Sequence, residues 1–221
     1  MGKRVDRGRI RDAVRHERAI SIKTISYFAD ERAYIDEVLE IFLEEASLTE
    51  YANKIAYCVH ELAGNAWKGN VKRAYFQELG LNIDDPRDYE RGMETFRADT
   101  LADISRYSDI QRELGIHFRV DFQLKGDEAR IAVRQNTRLT EFERRRIEEK
   151  LAVAAEHTTM VTAYESAEDT SEGAGLGLIM TVLMLRNIGL NEHVLDSSFN
   201  DGEAVLSLRL TRLRQENLQS A

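Results

Sequence analysis

Three polar side chains between residues 55 and 72 have the types and spacing of a small catalytic or metal-binding group. If this segment is helical, Asn65 follows Glu61 by four residues and Lys68 follows Asn65 by three, so the three side chains are neighbours on one helix face. A carboxylate can accept a proton from an attacking water, an amide oxygen suits Mg²⁺, and an ammonium can pair with a phosphate. This face predicts metal-assisted phosphate chemistry. The alternative is an ordinary solvated face stabilised by i,i+4 pairs.

The same segment carries an apolar stripe on a different arc of the helix, and Lys72 extends the polar arc by one more turn. We expect His60, which precedes Glu61, on the helix surface and Trp67 in packing contacts. The stripe that should face a core consists of Ile55, Val59, Leu62 and Ala66.

A glycine cluster lies where a polar segment becomes an apolar helix. Gly173, Gly175 and Gly177 stand just before or within the start of the apolar run 176–185. Glycines allow a ligand to approach the backbone, and free N–H groups at a helix start attract phosphate. The cluster lacks the preceding strand of a dinucleotide-binding fingerprint and the Lys-Ser/Thr of a P-loop. Taken alone, it is equally typical of a hinge.

Hydrophobic periodicity predicts alternating helices and strands along the chain. Because Pro86 is the single proline and no Gly/Ser linker is present, we expect one continuous domain. This order predicts an α/β (α+β) two-layer sandwich, a mixed sheet covered on one face by helices. The predicted strands are 20–28, 116–124, 129–136, 192–197 and 203–211, and the predicted helices are 31–47, 50–79, 86–114, 140–157 and 176–188.

Composition narrows the function classes. The 221 residues are 43% hydrophobic, enough for a sizeable core, and the formal net charge of −8 argues against nucleic-acid binding through bulk charge. Cys58 is the single cysteine, so an intrachain disulfide or a cysteine-based zinc site is excluded. With no signal peptide or membrane-spanning run, we expect a cytoplasmic protein with no membrane partner. The basic residues of 1–19 predict a frayed, solvated N-terminal arm.

Two of these segments together carry a family resemblance. Residues 57–70 (YCVHELAGNAWKGN) resemble the N-box of the Bergerat-fold, histidine-kinase-like (GHKL) ATPases. Residues 172–179 (EGAGLGLI) resemble the later glycine box of the same superfamily, which follows a lid and opens a helix. The order of elements is also similar, and the resemblance covers residues 20–212. The closest types are the histidine-kinase ATPase domains and the anti-sigma-factor serine kinases.

The resemblance implies an ATP site with Mg²⁺. It makes Asn65 the Mg²⁺ ligand and Lys68 a phosphate contact, and it places Glu61 where the hydrolysing branch has its general base. It also implies that residues 158–174 form the lid. Gly173, Gly175 and Gly177 would line the triphosphate.

The sequence departs from the superfamily on the base side. The superfamily has an aspartate that reads the adenine amine at the end of a middle strand, followed by a glycine turn. Here Gln135 or Asn136 stands in that place, and Arg138 could project into the space for the base. An amide can accept from the adenine amine and donate to the neighbouring ring nitrogen. The closing strand, at 202–204, also lacks the threonine often found after its glycine.

A second departure is a helical insertion at about 84–115, followed much later by a polar tail at 213–221. The insertion is either a structural elaboration or a surface for a partner. Its apolar residues have helical spacing and should pack on the domain: Tyr89, Met93, Phe96, Leu101, Ile104, Tyr107, Ile110 and Leu114.

These observations favour an ATP-binding signalling module of the histidine-kinase or anti-sigma-kinase type, acting on or binding a separate partner protein in trans. Homodimerisation is compatible with this interpretation, and the enzyme class is either a protein kinase or an ATPase. A hydrolase of the MutL type is a weaker alternative, because the further domains of those ATPases are missing. The main alternative is a degenerate Bergerat fold that binds no nucleotide and serves as an interaction scaffold.

Overall fold

The computed structural model describes residues 5–157, 176–187, 195–200 and 202–211. The expected lid at 158–174, with Gly173, the neighbouring Gly175 and the polar tail at 213–221, lies outside these residues. The described elements, in chain order, are α1 (Arg7–Arg15), β1 (Ile20–Thr24), α2 (Ala29–Glu45), a 3₁₀ turn (Thr49–Tyr51), α3 (Ala52–Leu79), α4 (Pro86–Ala102), α5 (Ile104–Glu113), β2 (Phe118–Lys125), β3 (Glu128–Gln135), α6 (Glu141–Glu156), α7 (Leu176–Arg186), β4 (Leu195–Asn200) and β5 (Glu203–Thr211).

The five described strands form one sheet in the order β1-β2-β3-β5-β4, and the two-layer α/β sandwich is confirmed. In one detail the sheet differs from the expectation of a mixed sheet, because each pairing between the described strands is antiparallel. Alternate side chains of β2 and β3 belong to the two faces of the sheet. Phe118, Val120 and Ile131 are buried beneath the helices, whereas Arg134 on the opposite face pairs with Asp121.

Helix α3 forms the centre of the helical layer. Its predicted apolar stripe is confirmed, since Ile55, Val59, Leu62 and Ala66 are all buried in the main core. The helix ends at Gly80, which adopts a left-handed conformation (φ 64°) that caps helices at low cost for glycine. The polar arc of α3 is thereby fixed relative to the sheet.

The N-terminal segment is not the frayed arm that its charge predicts. Residues Arg7–Arg15 form α1, which begins at the N-cap Asp6 and buries Val14 against the main core. Acidic residues of α2 neutralise the arginines, as in the contact of Arg11 with Glu44 at 2.6 Å. The expectation was wrong because it considered only the basic residues of this segment and not the acidic residues of α2 that pair with them.

The insertion packs on the C-terminal half of α3 and forms a second, smaller core around Tyr75, Phe76 and Tyr107. Gly92 of α4 permits this contact, since a Cβ atom there would lie 2.6 Å from Cζ of Phe76. The expected packing is confirmed for most of the apolar pattern, with Leu101 as the clearest exception at 72% exposed. Within the described residues, no helix is both long and apolar enough to cross a bilayer.

Candidate functional site

The two segments that carry the resemblance meet at one point in the structure. Gly177, the second residue of α7, packs against the side chain of Glu61 in the middle of α3. A Cβ atom at residue 177 would lie 1.9 Å from Oε1 of Glu61 and 2.1 Å from its Cδ. Glycine at this position in the first turn of α7 therefore leaves the carboxylate of Glu61 in place, because any side chain would displace it.

Small residues on both helices bring α3 and α7 this close. Thr181 is fully buried and folds its hydroxyl back onto the carbonyl of Gly177 at 2.9 Å. The thiol of Cys58 lies 3.9 Å from the carbonyl of Thr181. Burial raises the pKa of Cys58 to about 12, so this thiol is a packing group and not a nucleophile.

Glu61 and Asn65 are joined by a hydrogen bond. The amide nitrogen of Asn65 donates to Oε1 of Glu61 at 3.0 Å. This bond assigns the amide orientation, with Oδ1 of Asn65 as the acceptor that remains for a ligand. Asn65 is exposed and Glu61 is half-buried, so the pair stands at the mouth of the α3–α7 contact.

Lys68 stands one turn beyond Asn65 on the same face and is exposed. Among the described residues, no carboxylate pairs with its ammonium. The predicted Glu61, Asn65 and Lys68 face is therefore present as one group of side chains. An uncompensated cation beside an amide oxygen is a suitable arrangement for phosphate.

Lys72, the fourth residue of the predicted polar arc, belongs elsewhere. It is buried and lies 3.7 Å from Glu143 of α6, which Arg73 also contacts at 2.6 Å. Burial alone would raise the pKa of the Glu143 carboxyl. The two cations and the backbone N–H of Thr140 outweigh that effect and hold this pKa below its usual range. This buried ion group joins α6 to α3.

On the base side, Gln135 faces α3. Its Oε1 atom would lie 3.4 Å from a Cβ atom built on Gly69, which is one turn beyond Asn65. Its Nε2 atom donates to the hydroxyl of Thr137 at 3.2 Å, and that hydroxyl donates to Oδ1 of Asn70 at 3.2 Å. Asn70 is fully buried, and its Nδ2 atom has no partner among the described residues. A buried amide with unused hydrogen-bonding capacity therefore lies near the candidate site.

Asn136, the other candidate on the base side, is directed away from α3. It accepts a hydrogen bond from the backbone N–H of His117 at 2.6 Å and donates to the carbonyl of Gly115 at 2.9 Å. Its amide secures the start of β2. Arg138 likewise pairs with Asp84 of the α3–α4 connection. Of the residues proposed to read a base, Gln135 is the one that the structure places against α3, at Gly69, one turn beyond Asn65.

A tyrosine, a histidine and an aspartate form a clasp beside Glu61 that sequence reasoning missed. The hydroxyl of Tyr27 contacts Nδ1 of His60, and Nε2 of His60 lies 2.6 Å from Asp36. Burial raises the pKa of Tyr27, which keeps its hydroxyl protonated. The clasp ties α3 to α2 and to the β1–α2 connection. The signal that could have indicated it was a histidine immediately before the candidate base.

Within the described ranges, no group of three or more His, Cys, Asp or Glu side chains could hold a metal ion by itself. Asn65 could supply one oxygen to a hard cation, so water or a ligand would have to complete the coordination. This is typical of Mg²⁺, which is usually held by few protein atoms together with substrate phosphates. The arrangement fits a metal–phosphate ligand better than a resident metal ion.

Comparisons with known proteins give one relative. No protein-family model matches the chain, and no solved structure does. An uncharacterized protein of Treponema pallidum (strain Nichols) is 36% identical over 190 residues, which is 86% of this chain and 37% of that protein. The chain thus spans well under half the length of this relative. The name of the relative states no activity.

Proposed function

We propose that the chain binds ATP together with Mg²⁺ at the face formed by Glu61, Asn65 and Lys68, against the start of α7. One observation carries the proposal: Gly177 lies directly against Glu61. The two sequence motifs that resemble an ATPase are more than a hundred residues apart, and their contact places a carboxylate, an amide, a lysine and a helix start together.

The residues present fit the two ligands. Oδ1 of Asn65 offers one neutral oxygen to Mg²⁺. Lys68, which has no carboxylate partner in the part of the chain that the structure describes, offers an ammonium to phosphate. The start of α7 contributes backbone N–H groups and the positive end of its helix dipole. Bound Mg-ATP would supply a polarised γ-phosphate. Glu61 would then act as the general base that takes a proton from the group to which the phosphate is transferred.

Gln135 is the residue that we assign to the base. A primary amide can accept a hydrogen bond from the adenine amine and donate one to the adjacent ring nitrogen. The ring edge of guanine has the opposite donor and acceptor pattern, so an amide fixed by Thr137 favours adenine. In this proposal Gln135 takes the place of the superfamily's aspartate.

Calorimetric titration of ATP, ADP and GTP, with and without Mg²⁺, tests the proposal. We expect the parent chain to bind Mg-ATP and Asn65→Ala to lose the Mg²⁺-dependent part of the affinity. Asn53→Ala is the matched control, because Asn53 is an exposed asparagine on the same helix. Asn53→Ala should unfold within about 0.5 kcal/mol of the parent, as exposed substitutions usually do. Asn65→Ala also loses its hydrogen bond with Glu61, which costs about 1 kcal/mol and is partly offset by the higher helix propensity of alanine, so this variant should remain folded.

Two results would contradict this assignment. Unchanged Mg-ATP affinity in Asn65→Ala would remove the metal role of Asn65. If the parent chain binds none of the three nucleotides with Mg²⁺ present, the nucleotide site itself is wrong. The alternative, a degenerate fold that serves as an interaction scaffold, would then be favoured. That alternative draws on the missing aspartate at residues 135–136 and on the existing hydrogen bond between Glu61 and Asn65.

We further propose that the ATP site serves signalling, in the manner of the histidine-kinase and anti-sigma-kinase domains that the sequence resembles. In that role the chain acts in the cytoplasm on a separate partner protein, either by phosphorylating it or by binding it according to the nucleotide bound. Incubation with radiolabelled ATP and candidate partners separates a kinase from an ATPase, since the label moves to protein in the first case and to inorganic phosphate in the second.

A further inference from the structure

Strand β1 lies at the edge of the sheet. It pairs with β2 from Ile20 opposite Phe122 to Thr24 opposite Phe118. Among the strands that the structure describes, none pairs with its other edge. Half of the backbone N–H and C=O groups of this strand therefore face away from the sheet. An edge of this kind is a template for pairing with another chain.

A cleft of about 780 Å³ runs along this free edge. Its lining includes every residue from Arg18 to Thr24, so it follows the whole of β1. The opposite wall consists of α1, through residues such as Ile10 and Ala13, and of the first half of α2, through Tyr34 and Val38.

The length of the cleft matches one strand. Its lining follows all five residues of β1, and with a rise of about 3.4 Å per residue an extended segment of the same length spans about 17 Å. Neighbouring strands lie about 4.8 Å apart, so a single additional strand can pair along the whole of β1.

The lining of the cleft indicates what such a strand should carry. Ile10, Ile22 and Tyr34 are each only partly buried against the core, so apolar surface faces the cleft. Arg9 and Lys23 also line it, and within the described parts of the chain neither pairs with a carboxylate. Three acidic side chains also line the cleft. Asp6 and Glu31 accept hydrogen bonds from backbone N–H groups near the starts of α1 and α2, and Asp30 lies in the first turn of α2.

We propose that this cleft binds an extended segment of a partner protein, which adds an edge strand to β1. The segment carries aliphatic residues at alternate positions, toward Ile10 and Ile22, and an acidic residue near Arg9 or Lys23. Backbone hydrogen bonds to β1 give the affinity, and the alternate side chains give the specificity.

A second copy of this chain does not suit the cleft. Pairing of β1 with β1 of another molecule would bring a whole sheet edge, with its own α1, into a space that α1 already walls on one side. A linear segment enters this space without displacing α1, which ion pairs hold on α2.

Selection from a phage-displayed library of linear octapeptides tests the proposal. We expect the enriched peptides to alternate aliphatic and polar residues and to contain an acidic residue. An enriched peptide is then synthesised in two forms, N-methylated at one or the other alternate set of residues. One form should bind about tenfold or more weakly because it loses the N–H groups that face β1, and the other should bind as the parent peptide does.

Variants of the chain locate the site. Ala13→Phe places a ring in the cleft and should weaken peptide binding about tenfold or more. Ala98→Phe on the exposed face of α4 is the matched control and should have no effect. Nucleotide affinity should be unchanged in both variants, which separates this proposal from the ATP site.

Four results would overturn the proposal. The first is a selection that enriches no peptide. The second is an equal loss of affinity in both N-methylated forms, which would indicate side-chain docking without strand addition. The third is full binding by Ala13→Phe. A shift of the free chain to a dimer that competes with the peptide would replace the partner segment with a second copy.

Discussion

Replacing Gly177 with alanine tests the contact on which the candidate site depends. The new Cβ atom would meet Glu61 at 1.9 Å from Oε1, 2.1 Å from Cδ and 2.8 Å from Cγ. Carbon atoms in contact lie about 3.5–4.0 Å apart. The carboxylate must therefore move by roughly 1.5 Å, which breaks its hydrogen bond with Asn65.

The free energy of unfolding should change little in this single variant. The lost hydrogen bond costs about 1 kcal/mol, and alanine in place of glycine in a helix contributes up to about 1 kcal/mol. In a Glu61→Ala background, the side-chain atoms that obstruct the new Cβ atom and the hydrogen bond to Asn65 are both absent. Gly177→Ala should then stabilise the chain by about 1 kcal/mol, so the coupling energy between the two positions is about 1 kcal/mol.

Urea unfolding of the parent, the two single variants and the double variant measures this coupling. Gly64→Ala on α3 is the control, because its Cβ atom would make an ordinary 3.7 Å contact with Tyr27. Its effect should be the same with either residue at position 61. If Gly177→Ala has equal effects in both backgrounds, within about 0.3–0.5 kcal/mol, Gly177 and Glu61 are not in contact and the site is wrongly assembled.

Three further predictions concern the packing around the site. Glu143→Gln should cost about 3 kcal/mol near neutral pH, since it leaves the buried Lys72 and the partly buried Arg73 without their anion. Because the pKa of Glu143 is lowered by folding, its contribution is present above about pH 4 and disappears as the pH falls through that lowered pKa; urea titrations at several pH values should show parent and variant converge in acid. Val14→Ala should cost about 2 kcal/mol in the same assay because Val14 is buried in the core, and a stability equal to the parent's would mean that α1 is detached from α2. Cys58 should resist Ellman's reagent at pH 8 in the folded chain and react fully in urea, since it is fully buried with a pKa of about 12; rapid labelling of the native chain would contradict its place between α3 and α7.

Most of the fold followed from local patterns in the sequence. Three patterns each predict the type of element and its buried face. They are the apolar stripe of α3, the hairpin of β2 and β3 around Gly126, and the apolar run of α7. The spacing of Glu61, Asn65 and Lys68 also fixed their common face, because a helix relates residues three and four apart in one way only.

Contacts between segments that are distant in the sequence could not be predicted from such local patterns. Lys72 is buried because it pairs with Glu143, which is 71 positions away in the sequence. The helical wheel of α3 alone cannot indicate that partner. Similarly, the order of α1 depends on the acidic face of α2. The sequence also left open whether Gln135 or Asn136 faces α3. Neighbouring residues of a strand point to opposite faces of the sheet, so the answer depends on the register with which β3 pairs with β2.

The position of α3 in two cores has a consequence for how the domain can vary between homologous proteins. At 28 residues this helix is about 42 Å long, and the large apolar side chains of its last turns, Tyr75 and Phe76, pack in the second core that it shares with α4 and α5. A homologue that lost the insertion but kept the helix would expose Tyr75 and Phe76 to water, although each is only 1% exposed here. We therefore expect the lengths of the insertion and of α3 to change together: a shortened insertion should be accompanied by a shortened α3 or by polar residues at those two positions.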